Sequence, residues 1–260
     1  MSTLITHIFN EEYLLPFWLN HHKNMFDKIC IVDYNSTDKS VEICKSICPD
    51  CEIIPTQNEY FDAYKVDGEI MYIENGIEGI KIVLNVTEFL FCNKSVKDIF
   101  SGYNEAMMSF SISAISPYSE KIYNVSNYDE LIRNLLNNDI VYHNDRQGGR
   151  MLHNFPNGNY TIGRHYTANY SVPTNEAHIV WMGFYPMNDN LLKRKLQIQQ
   201  NIPQLDKDQG FGFQHLWSKD KMLSINYERS KNGKSLKDIN LSLYEILNTN
   251  YKTCEIILKY

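Results

Sequence analysis

The residues with chemistry to offer fall at the ends of apolar runs. Ile80–Leu84 is a short apolar segment that breaks into Asn85-Val86-Thr87-Glu88-Phe89. A run of this kind bounded by polar residues predicts an interior strand. Polar groups just past the carboxyl end of such a strand sit where open α/β sheets bind their ligands. Asn85 and Thr87 offer an amide and a hydroxyl there, and Glu88 offers the carboxylate oxygens that hard divalent ions prefer. Two earlier apolar runs end in the same way, one in Asn10-Glu11-Glu12 and one in Asp33-Tyr34-Asn35-Ser36-Thr37-Asp38. Late in the chain, Asp206 and Asp208 lie just upstream of Gly210-Phe211-Gly212-Phe213-Gln214-His215. Arg150, Arg164 and His165 add donors that suit phosphate oxygens. Each group also has a plainer role. Asp33 and Asp38 equally shape a turn and cap a helix, Gly210 and Gly212 serve as turn glycines, and His215 serves as a polar core or surface residue. His21-His22 and Lys193-Arg194-Lys195 read as solvated helix faces.

The elements that must position these groups alternate through the first ninety residues. Strands are predicted at Leu4–Phe9, Lys28–Val32, Cys51–Pro55 and Ile80–Leu84, with helices at Glu11–Asn24, Asp38–Ile47 and Glu59–Glu74 between them. Strand–helix–strand alternation implies right-handed crossovers and a mainly parallel sheet. Beyond Phe89 the pattern changes to strands at Glu105–Ile115, Asp139–His143, Tyr160–Ile162 and Ala177–Trp181. Helices are predicted there at Asn188–Gln200 and Ser235–Leu247. No internal repeat or low-complexity linker interrupts the chain.

Four segments together resemble glycosyltransferases of the GT-A fold, of the family 2 and family 92 types. His7–Trp18 is similar to their opening strand and helix, and Ile31–Ser40 to their Asp-x-x-Ser-x-Asp-x-Ser/Thr turn. Asn85–Phe89 resembles their Asp-x-Asp segment, with Asn85 and Thr87 in place of both aspartates. Gly210–His215 resembles a late Gly-x-Gly-x-x-His segment. The resemblance implies a GT-A-like α/β fold, with a mainly parallel twisted sheet first and a mixed sheet with helices after. It implies one domain over 1–260, residues 1–92 forming a nucleotide-sugar half and 93–260 an acceptor half. It implies inverting transfer from a nucleotide-diphosphate sugar to a glycan or other hydroxyl acceptor. Asn10, Glu12, Asp33, Asn85, Thr87, Arg164 and His165 would then contact the donor. Asp206 would be the base, with Asp208 as second choice, and Glu88 and His215 would contact Mn2+ or Mg2+. Loss of both aspartates implies weak or absent metal binding, with Arg150, Arg164 and His165 on the diphosphate instead. The same loss leaves open a non-catalytic protein that binds a nucleotide sugar or glycan.

Bulk properties exclude several other classes. The chain has 260 residues, with 43% hydrophobic and 22% charged, ordinary for a globular protein. A net charge of −6 gives no global basic field for nucleic acid. No window approaches a membrane span, and Met1–Asn10 lacks the pattern of a secretory signal, so the expectation is a cytoplasmic protein with reduced thiols. No phosphate-loop or dinucleotide glycine pattern occurs. Cys44-x-x-x-Cys48-x-x-Cys51 has the spacing of a radical S-adenosylmethionine cluster motif, yet cysteines four apart on an apolar helix face are more often core.

Overall fold

The computed structural model describes residues 1–59, 62–101, 107–144 and 149–257, with side chains as far as 249. Its first half is built from β1 (Ser2–Ile8), α1 (Leu15–His22), β2 (Lys28–Asp33), α2 (Ser40–Ile47), β3 (Glu52–Pro55), α3 (Ala63–Asn75) and β4 (Ile80–Val83). The four strands run parallel in the order β3-β2-β1-β4. Side chains alternate across each strand, so Leu4 and Ile8 join Ile29 and Ile31 on one face. Ile5 meets Cys30 and Val32 on the other, against Val66 and Ile70 of α3. Both faces are therefore covered, which explains the near-continuous apolar runs. Register pairs Ile8 with Asp33 and Ile5 with Val83, so the carboxyl ends of β1, β2 and β4 are neighbours.

The second half contains β5 (Glu88–Cys92), α4 (Val96–Ser101), β6 (Ser109–Tyr118), α5 (Tyr128–Asn134), β7 (Val141–His143), β8 (Gly149–His153), β9 (Val172–Pro173) and β10 (Ala177–Trp181). It closes with α6 (Asp189–Gln197), α7 (Gln204–Asp208), α8 (Lys219–Asn232), α9 (Leu236–Ile239) and α10 (Leu241–Ile257). The sheet continues past β4 as β8-β6-β10-β5, with β8 antiparallel to both its neighbours. β10 lies parallel to β6 and antiparallel to β5. The whole is the α/β arrangement expected from the sequence, a parallel half joined to a mixed one.

Several local expectations are corrected. Tyr160–Ile162 is not a strand: Tyr160 makes one isolated bridge to Thr167, and Ile162–Arg164 is a single 3-10 turn. β6 starts at Ser109; Glu105 and Ala106 lie outside the described residues. The helix expected at Ser235–Leu247 is broken at Asn240, whose φ of −155° and ψ of 86° leave the helical region. α8 went unpredicted because it buries little more than Met222 and Asn226, too few positions for a clear apolar stripe. His21 and His22 are not surface residues. β5 ends the strand order, and its outward backbone groups are taken by α1: Trp18 Nε1 donates to Glu88 O at 2.9 Å, and Leu90 N donates to His22 Nε2 at 3.2 Å. His21 Nε2 bonds Leu90 O at 2.6 Å. Cys48 and Cys51 form a disulfide, Cα–Cα 5.4 Å, while Cys44 is a buried free thiol that burial pushes up to about 12. Cys44 packs in the core while Cys48 and Cys51 bond each other, and among the described residues no three such side chains gather as a cluster ligand set.

Candidate functional site

Where β1 and β4 end, the strand order turns between connections that leave in different directions, which is the position of ligand crevices in open α/β sheets. A cavity of about 390 Å³ opens there. Its walls come from the tips of β1 (His7, Phe9, Glu11) and β4 (Asn85, Thr87), from β8 and the turn after it (Arg150, Arg164, His165), and from α3 (Asp67). α6 (Arg194, Lys195), Asp206 and the Gly210–His215 segment complete them.

The Asn85–Glu88 segment is a tight turn joining β4 to β5, closed by Glu88 N donating to Asn85 O at 2.8 Å. The Glu88 carboxylate folds back to accept the Asn85 amide at 2.9 Å and is clamped by Arg150, whose Nε and Nη2 each donate at 2.8 Å. Arg150 Nη1 reaches Gly163 O at 2.7 Å and His165 Nδ1 at 3.2 Å. Arg164 is 3% exposed. Its Nη1 donates to Asp67 and its Nη2 donates to Asn85 Oδ1 at 2.9 Å, with His7 Nδ1 at 3.3 Å. A third guanidinium, Arg194, holds both Glu11 oxygens at 2.5 Å. Each cation thus carries its own buried carboxylate, the arrangement low-dielectric burial demands.

These pairs set the titration of their neighbours. Burial, then the charges of Arg164 and Arg150, holds the His7 imidazole well below its ordinary range, so it is neutral near pH 7. Burial raises the Glu11 carboxyl, and Arg194 offsets part of that rise. His215 is lowered to about 4 by burial and by Lys195 and Arg194. Lys195 Nζ stands 4.3 Å from the centre of the Phe184 ring, a cation–π contact inside the fold.

The residues expected to act divide into those that line the cavity and those that do not. Asn85, Thr87, Arg164, His165, Asp206 and His215 line it. Asn10, Glu12 and Asp33 instead knit the β1 and β2 loops together. Asn10 Oδ1 accepts the Thr37 and Asp38 amides at 2.7 and 3.2 Å, Glu12 N donates to Asp38 at 3.0 Å, and Asp33 accepts the Ser36 amide at 3.1 Å. Asp206 is buried, with Oδ2 accepting the Ala63 amide at the start of α3 at 3.0 Å. Asp208 is exposed and bonded to Gln204 at 2.8 Å. Glu88, 1% exposed, does not line the cavity. Lys193-Arg194-Lys195 is not one solvated face: Lys193 is 78% exposed, but Arg194 is 10%. Lys195 falls four residues after buried Leu191, so helical spacing puts it on the inward-facing side of α6, a signal that the reading of the three cations as one face passed over. Nothing local marked Asp67, which meets Arg164 across 97 residues of chain.

A divalent ion does not fit these donors. Among the described residues, no three His, Cys, Asp or Glu side chains converge on one point. Asn85 Oδ1 is taken by Arg164, and both Glu88 oxygens are taken by Arg150. An ion on Asn85 would sit about 5 Å from the Arg164 guanidinium, a repulsion on the order of 7 kcal/mol at an effective dielectric of about 20. Asp67, lying beyond Arg164, returns only part of that.

No protein-family model matches the chain, and no curated protein matches it. Solved structures do. S. aureus TarS 1–349 matches with a TM-score of 0.35 and 13% identity, over 48% of this chain and 38% of that one. The same protein in complex with UDP gives 0.35, 14%, 48% and 38%. Glucosyl-3-phosphoglycerate synthase from Mycobacterium tuberculosis, in complex with Mn2+, UDP and glucosyl-3-phosphoglycerate, gives 0.33 and 10%, over 44% of each chain. The chain spans less than half the length of these structures. At such scores the likeness assigns no activity.

Proposed function

We propose that this protein binds a nucleotide-diphosphate sugar and transfers the sugar, with inversion, to a hydroxyl of a glycan or other acceptor. The observation that carries the reading is the cavity at the β1 and β4 tips, with Asn85, Thr87, Arg164 and His165 together on its wall. The sequence resemblance of the same strand ends to GT-A glycosyltransferases supports it independently. Asn85 and Thr87 present an amide and a hydroxyl to the donor, while Arg164 and His165 face the diphosphate. Asn10, Glu12 and Asp33 act one step back, holding the loops that frame the donor. Asp206 takes the proton from the acceptor hydroxyl as that oxygen attacks the anomeric carbon and the diphosphate departs. Its position on the wall, anchored by the Ala63 amide, favours it over exposed Asp208.

The test is to incubate the full chain with UDP-, GDP- and dTDP-sugars, following heat stability and release of nucleoside diphosphate. Stabilisation by one donor together with turnover supports transfer. A second reading, a binding protein without catalysis, is favoured by one observation: Glu11 and Asp67 on the wall are committed to arginines, and Asp206 to a backbone amide. Stabilisation without donor hydrolysis or transfer would select it. No response to any donor would remove both.

A further inference from the structure

The placement of Arg164 carries an inference that rests on the nucleotide-sugar reading for its ligand. Its Nη2 donates to Asn85 Oδ1 at 2.9 Å, so a fixed guanidinium stands on the residue that opens the turn after β4. Nη1 is held by Asp67, and the second Asp67 oxygen is held by the Gly163 amide at 2.6 Å. Arg164 also adopts the left-handed backbone, φ 58°, which non-glycine residues seldom do and which the surrounding contacts maintain. The charges balance in an informative way. A divalent cation on two carboxylates sums to zero, and so does Arg164 with Asp67, while Asn85 and Thr87 contribute none. Asn85 and Thr87 bring no anion to the turn, and a buried guanidinium occupies the adjoining space.

We propose that Arg164 takes the place of a divalent ion here: it keeps Mn2+ and Mg2+ off the Asn85–Thr87 turn, and a nucleoside diphosphate binds without metal. The guanidinium is permanently charged and pre-positioned, so the ligand's phosphates meet a cation that never dissociates.

The experiment titrates Mn2+ alone into the full chain, by calorimetry and by Mn2+ electron paramagnetic resonance. Wild type is expected to show no saturable site below about millimolar concentration. Asn85→Asp/Thr87→Asp restores the carboxylates but keeps Arg164, and is expected to bind Mn2+ at least about tenfold more weakly than the same variant carrying Arg164→Ala. Arg164→Lys on the double aspartate background keeps the charge and should also bind poorly, which separates charge from space. If circular dichroism shows the alanine variant unfolded, Arg164→Gln, neutral and of similar length, takes its place with the same expected gain. In parallel, UDP is titrated in EDTA and in Mn2+, with wild-type dissociation constants expected to agree within about threefold. Saturable Mn2+ binding to wild type that Asn85→Ala abolishes would overturn the inference. So would UDP binding that appears only with Mn2+. Failure of UDP, GDP and dTDP to bind under both conditions strikes the nucleotide-sugar reading instead, and the Mn2+ titrations still decide the role of Arg164.

Discussion

Asn85 and Thr87 carry no charge, and the charged groups around them are paired with one another: Arg150 with Glu88, Arg164 with Asp67 and Arg194 with Glu11. Glu88 is not a spare ligand but the anion that pays the desolvation of Arg150, with side chains 1% and 3% exposed. Glu88→Gln leaves that guanidinium buried beside a neutral amide and is expected to destabilise the fold by about 3–5 kcal/mol. Urea denaturation at neutral pH measures this, and a loss below about 1 kcal/mol would place Arg150 in water rather than in the fold. Among the acids near the glycine loop, Asp206→Asn should lower transfer by about 10²–10⁴-fold, whereas Asp208→Asn should stay near wild type. An Asp206→Asn enzyme with undiminished turnover ends the base assignment. At this scale strand-end position marked Asn85 and Thr87, which line the cavity, but it equally marked Asn10 and Asp33, which brace loops instead. It was silent where a role depends on a distant partner. Glu11 looked like a helix-start residue, yet it pairs with Arg194 across 183 residues, and no local pattern encodes such a pair.

Elements give a second kind of prediction, because α1 covers the edge of the sheet with imidazoles. His21 is lowered to about 4 and His22 well below its usual range, both chiefly by burial. A base whose folded value is depressed gives stability that is complete above its unfolded value near 6.5 and is lost as pH falls towards the folded value. Stability should therefore decline between about pH 6.5 and pH 4, with His21 alone contributing on the order of 3 kcal/mol across that window. Comparing urea midpoints at neutral and acidic pH tests this. His21→Gln/His22→Gln should flatten the slope, and an unchanged slope would move the acid sensitivity elsewhere. Elements were also the scale best read from sequence: β10 falls at its expected residues, Ala177–Trp181, because Ile179, Val180 and Trp181 form a β-branched and aromatic run that Asn175-Glu176 precedes and Gly183 follows. α8 was missed because its burial rests on so few side chains, and the Tyr160 segment because an aromatic beside threonine and isoleucine mimics a strand.

Across the whole molecule, one sheet carries both the parallel strands that end at the cavity and the mixed strands that supply Arg150 and the turn of Arg164. Residues 1–92 and 93–260 are joined through β4 with β8 and through β5 with β10, and the cavity draws on both stretches. This is why fold class was legible early while the site was not. Parallel alternation is written in local periodicity, but the cation-lined wall exists only once residues 7, 67, 85, 164 and 194 meet.

The most direct measurement of the central claim is calorimetric titration of UDP-, GDP- and dTDP-sugars into the intact chain. The account predicts saturable binding of one donor at one site, weakened by Arg164→Ala, with a gain in unfolding free energy of about 2.7 kcal/mol at a hundredfold excess over Kd. Heat and stability that stay flat for every donor, with EDTA and with Mn2+ alike, would contradict it.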